Sequence, residues 1–124
     1  MTIKSVLKLA AVFEGVTGGA LLVNPSAVTS WLVGDELSPS GKALGHVTGF
    51  ALIALGLACW PHGETRPAAT SVWAMLMYSL LVAIYLGYYG VNQPAGPLLW
   101  PAVAIHAVLP IFLVAAWSRE GHVA

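Results

Sequence analysis

Polar and apolar positions along this chain fall into long blocks. Apolar runs occupy approximately residues 6–24, 41–60, 68–90 and 98–117, and short polar or proline-rich breaks separate them. Each run is close to the roughly 20 residues that an α-helix needs to cross a hydrocarbon core of about 30 Å. Open strands would leave backbone groups unsatisfied in lipid, and four segments are too few for a closed barrel, so the pattern predicts helices. The breaks carry turn chemistry. Asn24-Pro25 ends the first run, Trp60-Pro61-His62-Gly63 the second, and the Pro- and Gly-rich stretch from Gly90 to Pro97 parts the third from the fourth. Between the first two runs, residues 26–34 (SAVTSWLVG) are apolar enough for a short helix lying in the membrane interface. The expected fold is an all-α membrane protein: one domain, residues 1–124, forming a four-transmembrane-helix bundle.

Composition strengthens this expectation. Hydrophobic residues make up 58% and charged residues 8%, with a mean hydropathy of +0.81, whereas soluble chains carry about 25% charged residues. Five basic residues balance five acidic ones, which leaves no surplus to neutralise phosphates and argues against a nucleic-acid partner. The single cysteine, Cys59, has no intrachain partner for a disulfide. Its expected role is apolar packing at a helix end.

Orientation follows from the basic residues. In a four-span arrangement Lys4, Lys8, Arg66 and Arg119 share one side and Lys42 alone faces the other, so both termini are expected in the cytoplasm of a bacterial inner membrane. Tryptophans agree as interfacial anchors: Trp60, Trp73 and Trp117 fall toward the terminal side, and Trp31, Trp100, Tyr88 and Tyr89 toward the other. A cleaved signal peptide competes for the first run, because Lys4 and Lys8 precede it. Glu14 would interrupt its apolar region, which favours a retained span.

Glu14 is the most informative residue. It sits inside the run VLKLAAVFEGVTGGALLVN with no cationic neighbour within the run that reaches its depth, and an ionisable group there costs about 2.5–3.5 kcal/mol on insertion scales. Such groups face a protein interior or a wet cavity. The other spans each hold polar candidates: His46 on the second, Tyr78 on the third, His106 on the fourth. Helical rise places Glu14 about 12 Å from the terminal side, His46 about 7 Å and His106 about 12 Å from the opposite side. The histidines are thus expected to share a layer, with Glu14 about 5–10 Å deeper. The plainer alternative has the histidines and threonines bonded to their own backbones and Glu14 protonated and hydrogen-bonded.

Small residues recur at four-residue spacing, Ala11, Gly15 and Gly19 on the first span and Gly41, Gly45 and Gly49 on the second. Ridges of this kind allow close helix approach, here within the chain rather than as a dimer seam. A local echo joins the same spans, VTGGALL at 16–22 and VTGFALI at 47–53. Transporters use inverted repeats of this sort, but the last two spans show no counterpart.

Three chemistries suit a cluster of Glu14, His46, Tyr78 and His106. A proton-linked module, small transporter or channel would use Glu14 and an imidazole as proton-exchanging groups. An accessory subunit or ligand-binding protein would use two histidines for haem, or a few convergent polar groups for a quinone or lipid. A membrane enzyme would take Glu14 and His106 as acid and base. The sequence contains no HxxxH, HExxH or CxxCH spacing, P-loop or dinucleotide fingerprint. His62 and His122 lie beyond the span ends. Pro110, four residues after His106, frees the carbonyl of His106 within the fourth span. A single small bundle encloses little space, so assembly as a homo-oligomer or within a larger membrane complex is expected.

The stretch from Phe13 to Leu22 (FEGVTGGALL), followed by Pro25, by Gly45-His46-Val47-Thr48-Gly49-Phe50-Ala51-Leu52 and by Leu55 to Trp60, resembles a group of small uncharacterised bacterial four-span membrane proteins. The resemblance covers about the first half of the chain and implies a membrane bundle without an established activity. It also implies that an arginine often stands where this chain has His46, so that pairing with Glu14 here would depend on pH. In size and layout the chain is distantly similar to DoxX-like four-helix proteins, a likeness of fold alone.

Overall fold

The structure, a computed structural model, describes residues 1–63 and 66–121; His122 lies outside them. Five helices occur in the order α1 (Ile3–Val23), α2 (Pro25–Val33), α3 (Pro39–Ala58), α4 (Ala69–Asn92) and α5 (Leu99–Gly121). All but α2 are long and apolar enough to cross a membrane.

Local chemistry sets most of the boundaries. Thr2 caps α1 by accepting from the Ser5 amide. Asn24 closes α1 and at once caps α2, where its side-chain oxygen accepts from Ala27 and Pro25 occupies the first turn, a position at which a missing N–H costs nothing. Gly34 ends α2 in the left-handed region at φ 79°. Ser38 and Pro39 repeat the cap-and-proline start at α3. The expected interfacial segment 26–34 is therefore a discrete nine-residue helix, and the four long runs agree with the observed spans to within a few residues at each end.

The spans alternate in direction. The Ile3 amide donates to Glu120 Oε1 at 2.9 Å, joining the start of α1 to the end of α5. Ser71 Oγ donates to the Ala58 carbonyl at 3.2 Å and the Cys59 thiol to the Ser71 carbonyl at 3.4 Å, joining the end of α3 to the start of α4. This end of the bundle is called the terminal end below. Here Arg66 stacks on Trp117 at 4.0 Å and Lys8 lies 5.8 Å from Trp60.

Helix α1 is the hub, packed most closely against α3 and also against α5, while α4 packs on α5. The α1–α3 seam is built from absent side chains. A Cβ on Gly18 would come within 2.7 Å of the Gly49 carbonyl oxygen, one on Gly49 within 2.8 Å of the Gly18 oxygen, and one on Gly56 within 2.8 Å of the Ala11 oxygen. The reciprocal Gly18 and Gly49 contact lies at matching positions of the VTGGALL and VTGFALI echo, so the echo marks an antiparallel crossing. The expected ridge is corrected by one position: Gly18, not Gly19, enters the seam, because nothing lies within 4 Å of a Cβ at Gly19. On α3, Gly41 meets only its own neighbours Leu37 and Ser38.

Burial is inverted relative to a soluble bundle. Large apolar side chains such as Val16, Phe50, Leu57, Ile84 and Ile111 are exposed, whereas Glu14, Ser79 and His106 are buried. The apolar core cluster consists of Ile3, Val6, Leu7 and Ala10 of α1, Cys59 at the end of α3, Val72 and Met75 of α4, and Leu109, Leu113 and Ala116 of α5.

Candidate functional site

Glu14 belongs to the inward stripe of α1, with Ala10 and Ala11 one turn before it and Gly18 one turn after. These spacings place all of them on one helix face. Glu14 is 1% exposed and His106, on α5, 5%. His106 Nε2 stands 3.4 Å from Glu14 Oε1. The imidazole lies edge-on between two rings, that of Phe13 at 5.7 Å and that of Tyr78 at 5.9 Å. The Tyr78 hydroxyl is within electrostatic reach of the carboxyl but forms no hydrogen bond with it.

Backbone geometry fixes the protonation of one ring nitrogen. His106 Nδ1 is 2.8 Å from the Ala102 carbonyl oxygen, and a carbonyl can only accept, so Nδ1 carries a proton. Neutral His106 then presents an unprotonated Nε2 to Glu14. An ionised carboxylate also only accepts. Two acceptors facing each other at 3.4 Å leave room for one proton between them, on Oε1 or on Nε2, and with it in either place the pair would be neutral overall.

Beyond that contact, neither carboxyl oxygen of Glu14 nor Nε2 of His106 has a hydrogen-bond partner. Among the described residues, the buried side-chain nitrogen and oxygen atoms lacking a hydrogen-bond partner are Glu14 Oε1, Glu14 Oε2, His106 Nε2 and Ser79 Oγ. The 3.4 Å approach is longer than the roughly 2.7–2.9 Å of an aligned charge-assisted hydrogen bond. Ser79 lies on the buried stripe of α4 between Met75 and Ala83, near the middle of its span as Glu14 is of α1. Serine hydroxyls inside helices usually bond the carbonyl one turn back, and that of Ser79 does not. Sequence reasoning passed over Ser79, although its spacing from Met75 and Ala83 marks an inward face, and over Phe13, which reads as lipid-facing.

The expected layer is corrected in two respects. Glu14 and His106 share one layer instead of lying about 5–10 Å apart in depth, because α1 and α5 are tied at the terminal end through Ile3 and Glu120. His46 is not brought to them. Its neighbour Gly45 abuts Pro25, where a Cβ would come within 2.7 Å of the proline ring, about three turns or roughly 16 Å along α1 from Glu14. His46 Nδ1 bonds the Lys42 carbonyl at 2.8 Å. Thr17 and Thr48 likewise bond carbonyls of their own helices, Phe13 at 2.9 Å and Leu44 at 2.8 Å. The cluster is therefore Glu14, His106, Tyr78 and, at the same depth, Ser79.

No group of three or more His, Cys, Asp or Glu side chains suited to a metal ion occurs among the described residues. Two concavities lie at opposite ends of the bundle. One, about 120 Å³, is lined by Leu7, Cys59, Trp60 and His62, and the other, about 310 Å³, by Asn24, Ser30, Glu36 and Lys42. Neither reaches Glu14. No protein family, curated protein or solved structure matches the chain.

Proposed function

We propose that this chain is a small proton-linked membrane module in which Glu14 and His106 form a mid-membrane site holding one shared proton. The observation that carries this reading is the buried pair itself, 3.4 Å apart, with no hydrogen-bond partner at Glu14 Oε1, Glu14 Oε2 or His106 Nε2. Adding a second proton or removing the first would leave a net charge in a low-dielectric interior, which is costly. Exchange with bulk water therefore has to be coupled to hydration or movement of the bundle, and that coupling separates a proton-linked device from an open pore.

The surrounding groups fit this role. Tyr78 is the titratable group that α4 sets against the pair. The seam that α3 sets against α1 is lined by Gly49, Ile53 and Gly56 and brings no charge. A bis-histidine haem site within one chain is not favoured, because His46 and His106 lie on helices separated by α1 and His106 Nε2 is turned to Glu14. A quinone or lipid site would need a cavity bordering the cluster.

By charge, the terminal end, with Lys4, Lys8, Arg66 and Arg119, belongs in the cytoplasm of a bacterial cell membrane, and Lys42 outside. Assembly as a homo-oligomer would leave the proton site inside each protomer.

Reconstitution tests the reading. In liposomes holding a pH-sensitive dye, the wild type is expected to dissipate an imposed proton gradient and Glu14→Gln to fall to the rate of protein-free vesicles. Background rates for both would overturn the proposal.

A further inference from the structure

The apolar core cluster lies on one side of the polar layer, with Leu21, Ala83 and Leu99 buried on the other. Ile3, Val6 and Leu7 precede Glu14 on α1, Met75 precedes Ser79 on α4, and Leu109 and Leu113 follow His106 on α5; in an alternating bundle all of these are on the terminal side. Leu7, Met75 and Leu113 are fully buried. Beneath the pair, then, is an apolar plug about three turns deep. Across the layer the packing is lighter beside the pair and closes again farther on at Leu99, which is fully buried against Gly90. Gly18, Ala83 and Ala102 occupy inward positions, and a Cβ on Gly87 would meet only Val103, at 3.9 Å.

What closes that lighter half is α2. The last carbonyls of a helix have no partner within it, and those of α2 are satisfied by the connection between α4 and α5. The Leu98 amide donates to the Trp31 oxygen at 2.9 Å and the Gly96 amide to the Leu32 oxygen at 3.1 Å. The Tyr89 hydroxyl approaches the Val33 oxygen at 3.5 Å. Gly96 packs so closely on Trp31 that a Cβ there would collide with the Trp31 carbonyl, and Gly34, at φ 79°, forms the corner at the end of α2.

We propose that water reaches the Glu14–His106 pair from the α2 end alone, and that α2 docked on the α4–α5 connection is the gate. This deepens the proton-site reading and rests on it. The gate supplies the movement that proton exchange requires, while the Leu7, Met75 and Leu113 plug keeps the terminal side shut.

Thiol labelling measures water access without measuring proton flux, so the two proposals fail separately. In a Cys59→Ala background, Val103→Cys and Leu109→Cys sit one turn to either side of His106. Oriented proteoliposomes are treated with a charged, membrane-impermeant methanethiosulfonate, which reacts with a water-exposed thiolate. Val103→Cys is expected to react from the α2 side, and Gly96→Ala to speed that reaction roughly tenfold, the factor given by a loss of about 1.4 kcal/mol in docking. Leu109→Cys should stay unreacted from both sides. Gly34→Ala strains the corner of α2 and presses on the Ala95–Gly96 backbone at 3.3 Å, and should act in the same direction; Gly19→Ala, in open space, should not. Labelling of Leu109→Cys as fast as Val103→Cys in monodisperse protein, or an unchanged Val103→Cys rate in both α2 variants, would overturn the gate.

Discussion

His106 Nε2 faces Glu14 Oε1 across 3.4 Å, while the opposite nitrogen of the same ring is held 2.8 Å from the Ala102 carbonyl. The second contact determines the meaning of the first. Because Nδ1 must donate to a carbonyl, the ring cannot turn its proton toward Glu14 by changing tautomer without giving up that bond. A proton placed between the carboxyl and the imidazole would therefore sit on Glu14 or on Nε2.

The energetic coupling between the two residues should be measurable. Replacing either one strands a buried polar partner, at a cost of about 1–3 kcal/mol. Replacing both with apolar residues removes the stranded group. A double-mutant cycle with Glu14→Leu and His106→Phe, read by thermal unfolding in detergent, is expected to show an interaction energy on the order of 0.5–3 kcal/mol. Additive losses would mean that the pair does not interact.

The α1–α3 seam gives a sharper contrast. Gly18→Ala and Gly56→Ala each place a methyl within 2.9 Å of a backbone oxygen, and overpacking of this kind costs about 1–3 kcal/mol. Gly19→Ala, with nothing within 4 Å, should stay within about 0.5 kcal/mol of wild type. Melting temperatures of the three variants check this order.

At the terminal end, Arg66 lies over the Trp117 ring at 4.0 Å. Arg66→Ala is expected to cost about 0.5–1 kcal/mol, the range of an exposed cation–π contact, and Arg66→Lys less. Chemical unfolding of the two variants measures the difference, and Trp117→Leu should make them indistinguishable.

Much of the architecture was legible from the chain. Runs of apolar residues ended by Asn24-Pro25, Trp60-Pro61 and the Pro94 region fix helix number and length, because lipid admits few alternatives. Capping by Asn24 and closure by Gly34 make even α2 readable. Glu14 stood out because a carboxylate in an apolar run is expensive wherever it points. Its partner was one of three candidates, His46, Tyr78 and His106, and counting depth along separate helices does not choose among them because it ignores how they slide. The abutment of Gly45 on Pro25 sets α3 so that His46 falls near the α2 end, while the Ile3–Glu120 bond sets α5 so that His106 falls beside Glu14. Ser79 carries no signal beyond its spacing from Met75 and Ala83, since a serine within a span ordinarily satisfies itself on its own helix.

The most direct test is the protonation of His106 in bilayers, read by ¹⁵N solid-state NMR of histidine-labelled protein and assigned with the His106→Phe variant. A shared proton requires Nδ1 to stay protonated and the Nε2 resonance to change, together with its pH response, when Glu14 is replaced by Gln. An Nε2 resonance that is the same in wild type and Glu14→Gln at every pH would contradict it.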